Sequence, residues 1–202
     1  TGCGVDSAAV SSGQQTITLS TITQGDGAYT CTITFSDALG TAATALTLTA
    51  FTLDNAVATP SETTAITTPT TDTTPAVVIT TTQAGTIVMG GTSGCAVGSA
   101  AVISGQQTIT LSTITAGDGA YVCTITFTDS AGNAASALSL TSFTLDTTAN
   151  TPSETTVIST PTNDETPSVV ITTDEAGTIA VGGTTGCGVD SAAVSSGQQT
   201  IT

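Results

Sequence analysis

The chain has 202 residues, with 15 Asp plus Glu and no Lys, Arg or His, a formal net charge of -15 at pH 7. A surface without a base cannot neutralise phosphates and is repelled by an anionic membrane face, so nucleic acid is excluded as a partner and cations are the natural small ones. Apolar residues make up 38% of the chain but aromatic ones only 3%, with no Trp; cores must be built from Val, Ile, Leu and Ala with one or two rings per repeated unit, and a hydrophobic term of ~25 cal/mol per Å² of buried surface leaves room for a covalent staple.

Residues 1–18 read Thr-Gly-Cys-Gly-Val-Asp-Ser-Ala-Ala-Val-Ser-Ser-Gly-Gln-Gln-Thr-Ile-Thr and return unchanged at 185–202, while the middle copy, 93–110, differs only at Ser93, Ala96, Gly98 and Ile103. The offset between neighbouring copies is 92 residues, a normal size for a small all-β domain that closes its own core. Gly25 to Phe35 and Gly117 to Phe127 are a second repeated pair. In the latter Tyr121, Cys123, Ile125 and Phe127 alternate with Val122, Thr124 and Thr126, which predicts one half-buried strand entered through an Asp-Gly turn. Asp37 to Thr41 reads as the turn that follows, and Leu46, Leu48, Phe51 and Leu53 as a last strand.

The one unit in natural order is Asn55 to Asp146. It opens with a Thr/Ser/Pro stretch from Thr59 to Pro75, in which a short edge strand is expected over 62–67. Strands follow over 76–82 and 86–89 around the Gln83-Ala84-Gly85 turn. Gly90 to Gly94 is a flexible connection, 96–105 a small-residue loop or weak strand, and 107–112 a strand with Ile109 and Leu111. After Phe127 comes a turn at 129–133 and a strand over 134–145. There Leu138 and Leu140 share one parity and Phe143 and Leu145 the other, which predicts a bulge or a crossing between sheets near Thr141-Ser142. Seven short strands and no helical period argue for a sandwich. No apolar run approaches the ~18 residues of a membrane span and no basic leader precedes an apolar stretch, so no membrane insertion is expected within this chain.

Five cysteines fall at two places in the repeat: Cys3 with Cys31 and Cys95 with Cys123, each 28 residues apart, and Cys187 without a mate at the same spacing. A metal site would need soft or imidazole ligands, and there is neither His nor Cys-x-x-Cys. The pattern predicts structural disulfides and an oxidising, extracellular compartment, with Cys187 pairing outside the chain or with another subunit.

Asp118-Gly119-Ala120-Tyr121-Val122-Cys123 resembles the Asp-x-x-Tyr-x-Cys signature of immunoglobulin strand F, whose Tyr makes the tyrosine corner. Together with residues 160–167, Glu175 to Ile179, Asp129 to Asn133 and Phe143 to Asp146, it resembles the tandem bacterial immunoglobulin-like repeats of large secreted and cell-surface proteins. The resemblance covers the whole chain and implies an all-β fold of tandem immunoglobulin-like sandwiches with one disulfide per repeat: 1–54 the C-terminal part of a repeat, 55–146 a complete one, and 147–202 the N-terminal part of a further one. One departure stands out. An immunoglobulin domain takes its partner cysteine from strand B with a Trp packed on the bridge, whereas Cys95 follows the third strand, so this bridge should tie a loop or sheet rim to strand F.

Five acidic positions recur in both units: Asp26 with Asp118, Asp37 with Asp129, Asp54 with Asp146, Glu62 with Glu154 and Asp72 with Asp164. Oxygen-only ligands suit Ca²⁺, and a calcium site at the junctions would draw on Asp54, Glu62, Asp72, Asp146, Glu154 and Asp164. The competing account is turn and capping chemistry, and no Asp-x-Asp-x-Asp run is present. With no cationic or imidazole partner, few rings to stack a sugar and the same acids in every unit, no catalytic residue and no enzyme is expected, and no cofactor beyond Ca²⁺.

The expected function is structural, a segment of a long extracellular array forming a cell-surface stalk or the body of a filament, its partners being neighbouring identical repeats or subunits. Residues 147–184 supply the first 38 residues of a unit and 1–54 the remaining 54, so the chain is expected to be either a window on a continuous array or a separate subunit completed by strand donation. The alternative is an adhesin module that recognises glycan or ice through Thr-rich strand faces, against which stands the ordinary preference of Thr for the solvent side of a strand.

Overall fold

The computed structural model describes residues 2–5, 9–97, 101–189 and 193–202. Among them every regular element is a strand, and no helix is long and apolar enough to cross a membrane. The chain divides into two compact units, 1–145 and 146–202.

The first unit begins with four short strands, β1 (Gly27–Tyr29), β2 (Thr32–Ile33), β3 (Leu46–Thr47) and β4 (Phe51–Leu53). β1 pairs with β4 and β2 with β3, both antiparallel, and neither pair joins a larger sheet.

Nine strands follow: β5 (Ser61–Thr64), β6 (Ala76–Thr81), β7 (Gly85–Gly91), β8 (Ala101–Val102), β9 (Gly105–Thr110), β10 (Gly119–Tyr121), β11 (Cys123–Asp129), β12 (Leu138–Ser139) and β13 (Phe143–Leu145). They build a three-stranded sheet β5-β6-β9, a four-stranded sheet β12-β11-β7-β8 and the pair β10-β13. Of the loop or weak strand expected over 96–105, residues 98–100 lie outside the described residues, and among the described ones Ala101–Val102 form β8 and Gly105 opens β9.

Period-two alternation decides what each sheet buries. From β6 come Val77 and Ile79, from β9 Ile109, from β7 Ile87, and from β11 Cys123, Ile125 and Phe127, all in one apolar cluster with Tyr121, Phe143 and Leu145. Every one is buried, and burying each such aliphatic or aromatic side chain contributes about 1.5–3 kcal/mol relative to leaving it in water. A core poor in rings is thus assembled from aliphatics off two sheets.

The single strand expected within 117–127, entered through the Asp-Gly turn, is divided at Val122 into β10 and β11. The cause is local. Val122 spends its carbonyl on the Thr92 backbone N–H at 2.9 Å, and its own N–H donates to Thr92 Oγ1 at 3.0 Å. Gly91, at φ 112°, lets the two backbones approach, since a Cβ there would lie 2.1 Å from the Val122 carbonyl oxygen. The strand expected over 134–145 is likewise two strands. β12 stays on β11 while β13 pairs with β10, so the parity switch at Thr141-Ser142 is a passage from one sheet to another.

The second unit holds β14 (Ser153–Thr156), β15 (Val169–Thr173), β16 (Gly177–Thr178), β17 (Ala193–Val194) and β18 (Gly197–Ile201). They form a sheet β14-β15-β18 and a pair β16-β17. The register of Val169 opposite Ile201 is that of Val77 opposite Ile109, shifted by the repeat offset.

Candidate interaction surfaces

Cys95 lies between β7 and β8, Cys123 opens β11, and the two are bonded with Cα atoms 5.6 Å apart. Cys3 and Cys31 are bonded in the same way at 5.7 Å. Cys187 is an exposed free thiol. Closing a loop of 28 residues contributes on the order of 3–4 kcal/mol in the chain-entropy account.

Each bridge sits beside an aromatic corner. The Tyr121 hydroxyl donates to the Gly117 carbonyl at 2.6 Å, and its ring stacks on Phe143 with centroids 5.4 Å apart and planes 14° from parallel. Tyr29 repeats this on Gly25, at 2.5 Å, and on Phe51, at 5.6 Å and 20°.

The acidic side chains are spent mainly on backbone. Asp129 Oδ1 accepts from the N–H groups of Ala131 and Asn133, both at 2.9 Å, and Oδ2 accepts from Asn133 Nδ2 at 2.9 Å. The Asn133 side-chain bond, helped by these backbone donors and opposed by burial, holds the carboxyl below its ordinary pKa. Asp37 binds Leu39 and Thr41 alike.

Asp72 Oδ1 accepts from Thr74 N–H at 2.8 Å, and Asp164 Oδ1 from Thr166 N–H at 2.9 Å, closing matching turns. Glu62 Oε2 accepts from both Thr141 N–H and Oγ1 at 2.8 Å, tying the edge strand β5 to the point where the chain changes sheets. Asp26 accepts from Asn55 N–H at 2.8 Å and Ala56 N–H at 3.1 Å, while Asp54 takes a 3.3 Å bond from Gln83 Nε2 to Oδ2 and a 2.9 Å bond from Asn133 Nδ2 to its carbonyl. Residues 2–54 are therefore joined to 55–145 by polar side chains, three of the four bonds being to backbone. Asp146 is half-buried and Glu154 exposed on β14. Among the described residues no three acidic, Cys or His side chains gather into a group that would hold a metal.

Two open grooves are lined by apolar side chains. The first, about 480 Å³, lies on residues 2–54 and is lined by Val5, Val10, Ile17, Ile33 and Phe35. The second, about 490 Å³, lies on the 146–202 unit and is lined by Ile158, Val169, Val181, Cys187 and Ile201. Several lining residues have core counterparts 92 positions away: Ile33 and Phe35 match Ile125 and Phe127, and Ile158 and Val169 match Ile66 and Val77. Phe127 is 0% exposed and Phe35 51%.

Sequence reasoning did not foresee the grooves as surfaces, because Ile33 and Phe35 are the same residues as their buried counterparts Ile125 and Phe127 and carry no local mark of exposure. Compared with protein-family models, with curated proteins and with solved structures, the chain matches none of them.

Proposed function

We propose that the chain is a structural, non-catalytic extracellular protein, a segment of an array of immunoglobulin-like sandwiches that forms a surface stalk or the body of a filament. The observation that carries this reading is the tyrosine corner made twice, Tyr29 on Gly25 and Tyr121 on Gly117, each stacked on a Phe and each beside a disulfide. A tyrosine hydroxyl bonded to backbone a few residues upstream is a hallmark of that sandwich, and its recurrence with matching ladders supports repeated units of one design.

The polar junction of Asp26, Asp54, Gln83 and Asn133 supports end-to-end stacking in which each unit contacts its neighbour. The disulfides support an oxidising compartment. Non-reducing denaturing electrophoresis of native material, with electron microscopy, tests the proposal. Bands far above 19.5 kDa and a fibre with a one-unit or two-unit repeat are expected; a discrete band at the chain's own mass and no fibre would remove it.

A further inference from the structure

A sheet edge offers unpaired backbone to other chains, and proteins blunt such edges with shortness, charge, proline or a bulge. Among the described residues of 55–145 every strand edge but one is blunted in this way. β8 and β12 have two residues each, β10 and β13 three. β5 has four, but Pro60 precedes it, Glu62 lies within it and its register on β6 shifts between Glu62 and Thr64. β9 has six, reads Gly-Gln-Gln-Thr-Ile-Thr without charge or proline, and runs along β6 without a shift. It has no other strand partner among the described residues.

The ladder fixes which backbone groups face outward. Leu111 N–H donates to the Pro75 carbonyl at 2.9 Å, so in this antiparallel pair the odd-numbered residues of β9 exchange bonds with β6, while Gln106, Thr108 and Thr110 turn their N–H and C=O groups away from it. Ser112, next in that series, has the same direction: its N–H donates away from β6, to the Ala96 carbonyl at 2.8 Å. The side chains of Gln106, Thr108 and Thr110 are exposed. Beside the edge lies an open groove of about 410 Å³ bordered by Ala101, Gln107, Ile109 and Leu111. In the other unit β18 has the sequence of β9 one repeat on and pairs on one side only, with β15, in the corresponding register.

Charge selects the occupant. Every charged side chain of this molecule is acidic, and none lies between Asp72 and Asp118, the stretch that supplies β6 to β9. A second copy brings only negative charge, and this neutral edge is where it approaches without repulsion.

We infer that β9 pairs antiparallel with β9 of a second copy about a two-fold axis, extending β5-β6-β9 into one sheet across two molecules. A continuous sheet keeps core-side residues opposite core-side residues, which requires partners of equal parity. Centring the axis on Thr108 meets this requirement: Thr108 faces Thr108 of the other copy, Gln106 faces Thr110, Gln107 faces Ile109, and the outward residues exchange their backbone bonds. The contact is isologous. It goes beyond the array reading, since end-to-end joints lengthen a row of units whereas this edge bonds one row sideways to another.

The experiment uses the purified 202-residue chain in sedimentation equilibrium from micromolar to millimolar concentration. Wild type is expected to self-associate reversibly. Thr200→Pro closes the β18 edge at an N–H that faces away from β15 and so leaves that ladder intact; on this background association should stop at a dimer, and adding Thr108→Pro should abolish it. On the same background Thr108→Glu and Thr108→Lys each set like charges opposite one another across the axis and should weaken dimerisation by about tenfold or more. Their equimolar mixture should restore it as a heterodimer, a rescue that misfolded variants do not give. Wild type monomeric throughout, a dimer that survives Thr108→Pro, or a Glu and Lys mixture that stays monomeric would each overturn the proposal. None of these outcomes alters the covalent mass of native material, by which the array reading is judged separately.

Discussion

Residues 9–18 and 193–202 are the same ten amino acids, Ala-Val-Ser-Ser-Gly-Gln-Gln-Thr-Ile-Thr, and they have different structures. The later copy contains β17 and β18; the earlier contains no strand. Val194 is 9% exposed and Val10 45%. The local turn is common to both, since Gly197 has φ 107° and Gly13 φ 110°. What differs is the neighbour: β18 lies along β15, and residues 13–18 have no such partner strand. A strand is a property of a pair, and identical propensity yields identical structure only where the second member is supplied.

The largest expected effect sharpens that contrast at a single residue type. Phe127→Ala removes a ring from a closed core and should cost about 3–5 kcal/mol in chemical denaturation of the 55–145 region. Phe35→Ala, at the same place in the other copy, should change the free chain by less than about 0.5 kcal/mol. Equal losses would mean that the earlier copy is closed.

Next comes the staple. Cys123→Ala frees a 28-residue loop and should lower the stability of the same region by about 3–4 kcal/mol; an unchanged melting temperature would contradict a stabilising bridge. Within the identical segments, Ile201→Ala should cost about 2–4 kcal/mol of β18 protection in hydrogen exchange, whereas Ile17→Ala should leave the exchange of residues 13–18 unchanged.

The smallest effect is acid sensitivity of a turn. The folded carboxyl of Asp129 is held below its ordinary value, so its contribution is fully present above the unfolded pKa of ~3.9 and is lost as pH falls through the folded one. Protection of the 131–133 amides, relative to their intrinsic exchange at each pH, should fall below pH ~4, and Asp129→Asn should remove that loss of protection. A turn equally protected at pH 2 and pH 7 would break the argument.

Much of the β architecture was legible because its signals are local. Alternation at Tyr121, Cys123, Ile125 and Phe127 marked the buried file, and the parity switch after Leu140 marked the change of sheet. The break at Val122 was not legible, because it depends on Thr92 and Gly91 arriving from another strand to take its backbone groups. Among the candidate acidic residues the chain shows only chemistry of Asp and Glu type. Whether Glu62 reaches a cation or the backbone of Thr141 is decided by a contact 79 residues away in sequence. The grooves are likewise a matter of what fails to cover the apolar faces at Phe35 and Val169, and no residue within either stretch encodes that absence.

The duplicated segment has one more consequence, which concerns tethers. Residues 13–18 and 197–201 offer β15 the same atoms, so contact energy is common to both and cannot choose between them. Within one chain the choice falls to loop closure: 23 residues separate Thr173 from Gly197, whereas 150 lie between Thr18 and Val169. The logarithmic cost of the longer loop amounts to about 1.5–2 kcal/mol, a preference of roughly tenfold to thirtyfold. The correct pairing in so repetitive a chain is kept by proximity along the backbone, with no side chain discriminating one copy from the other.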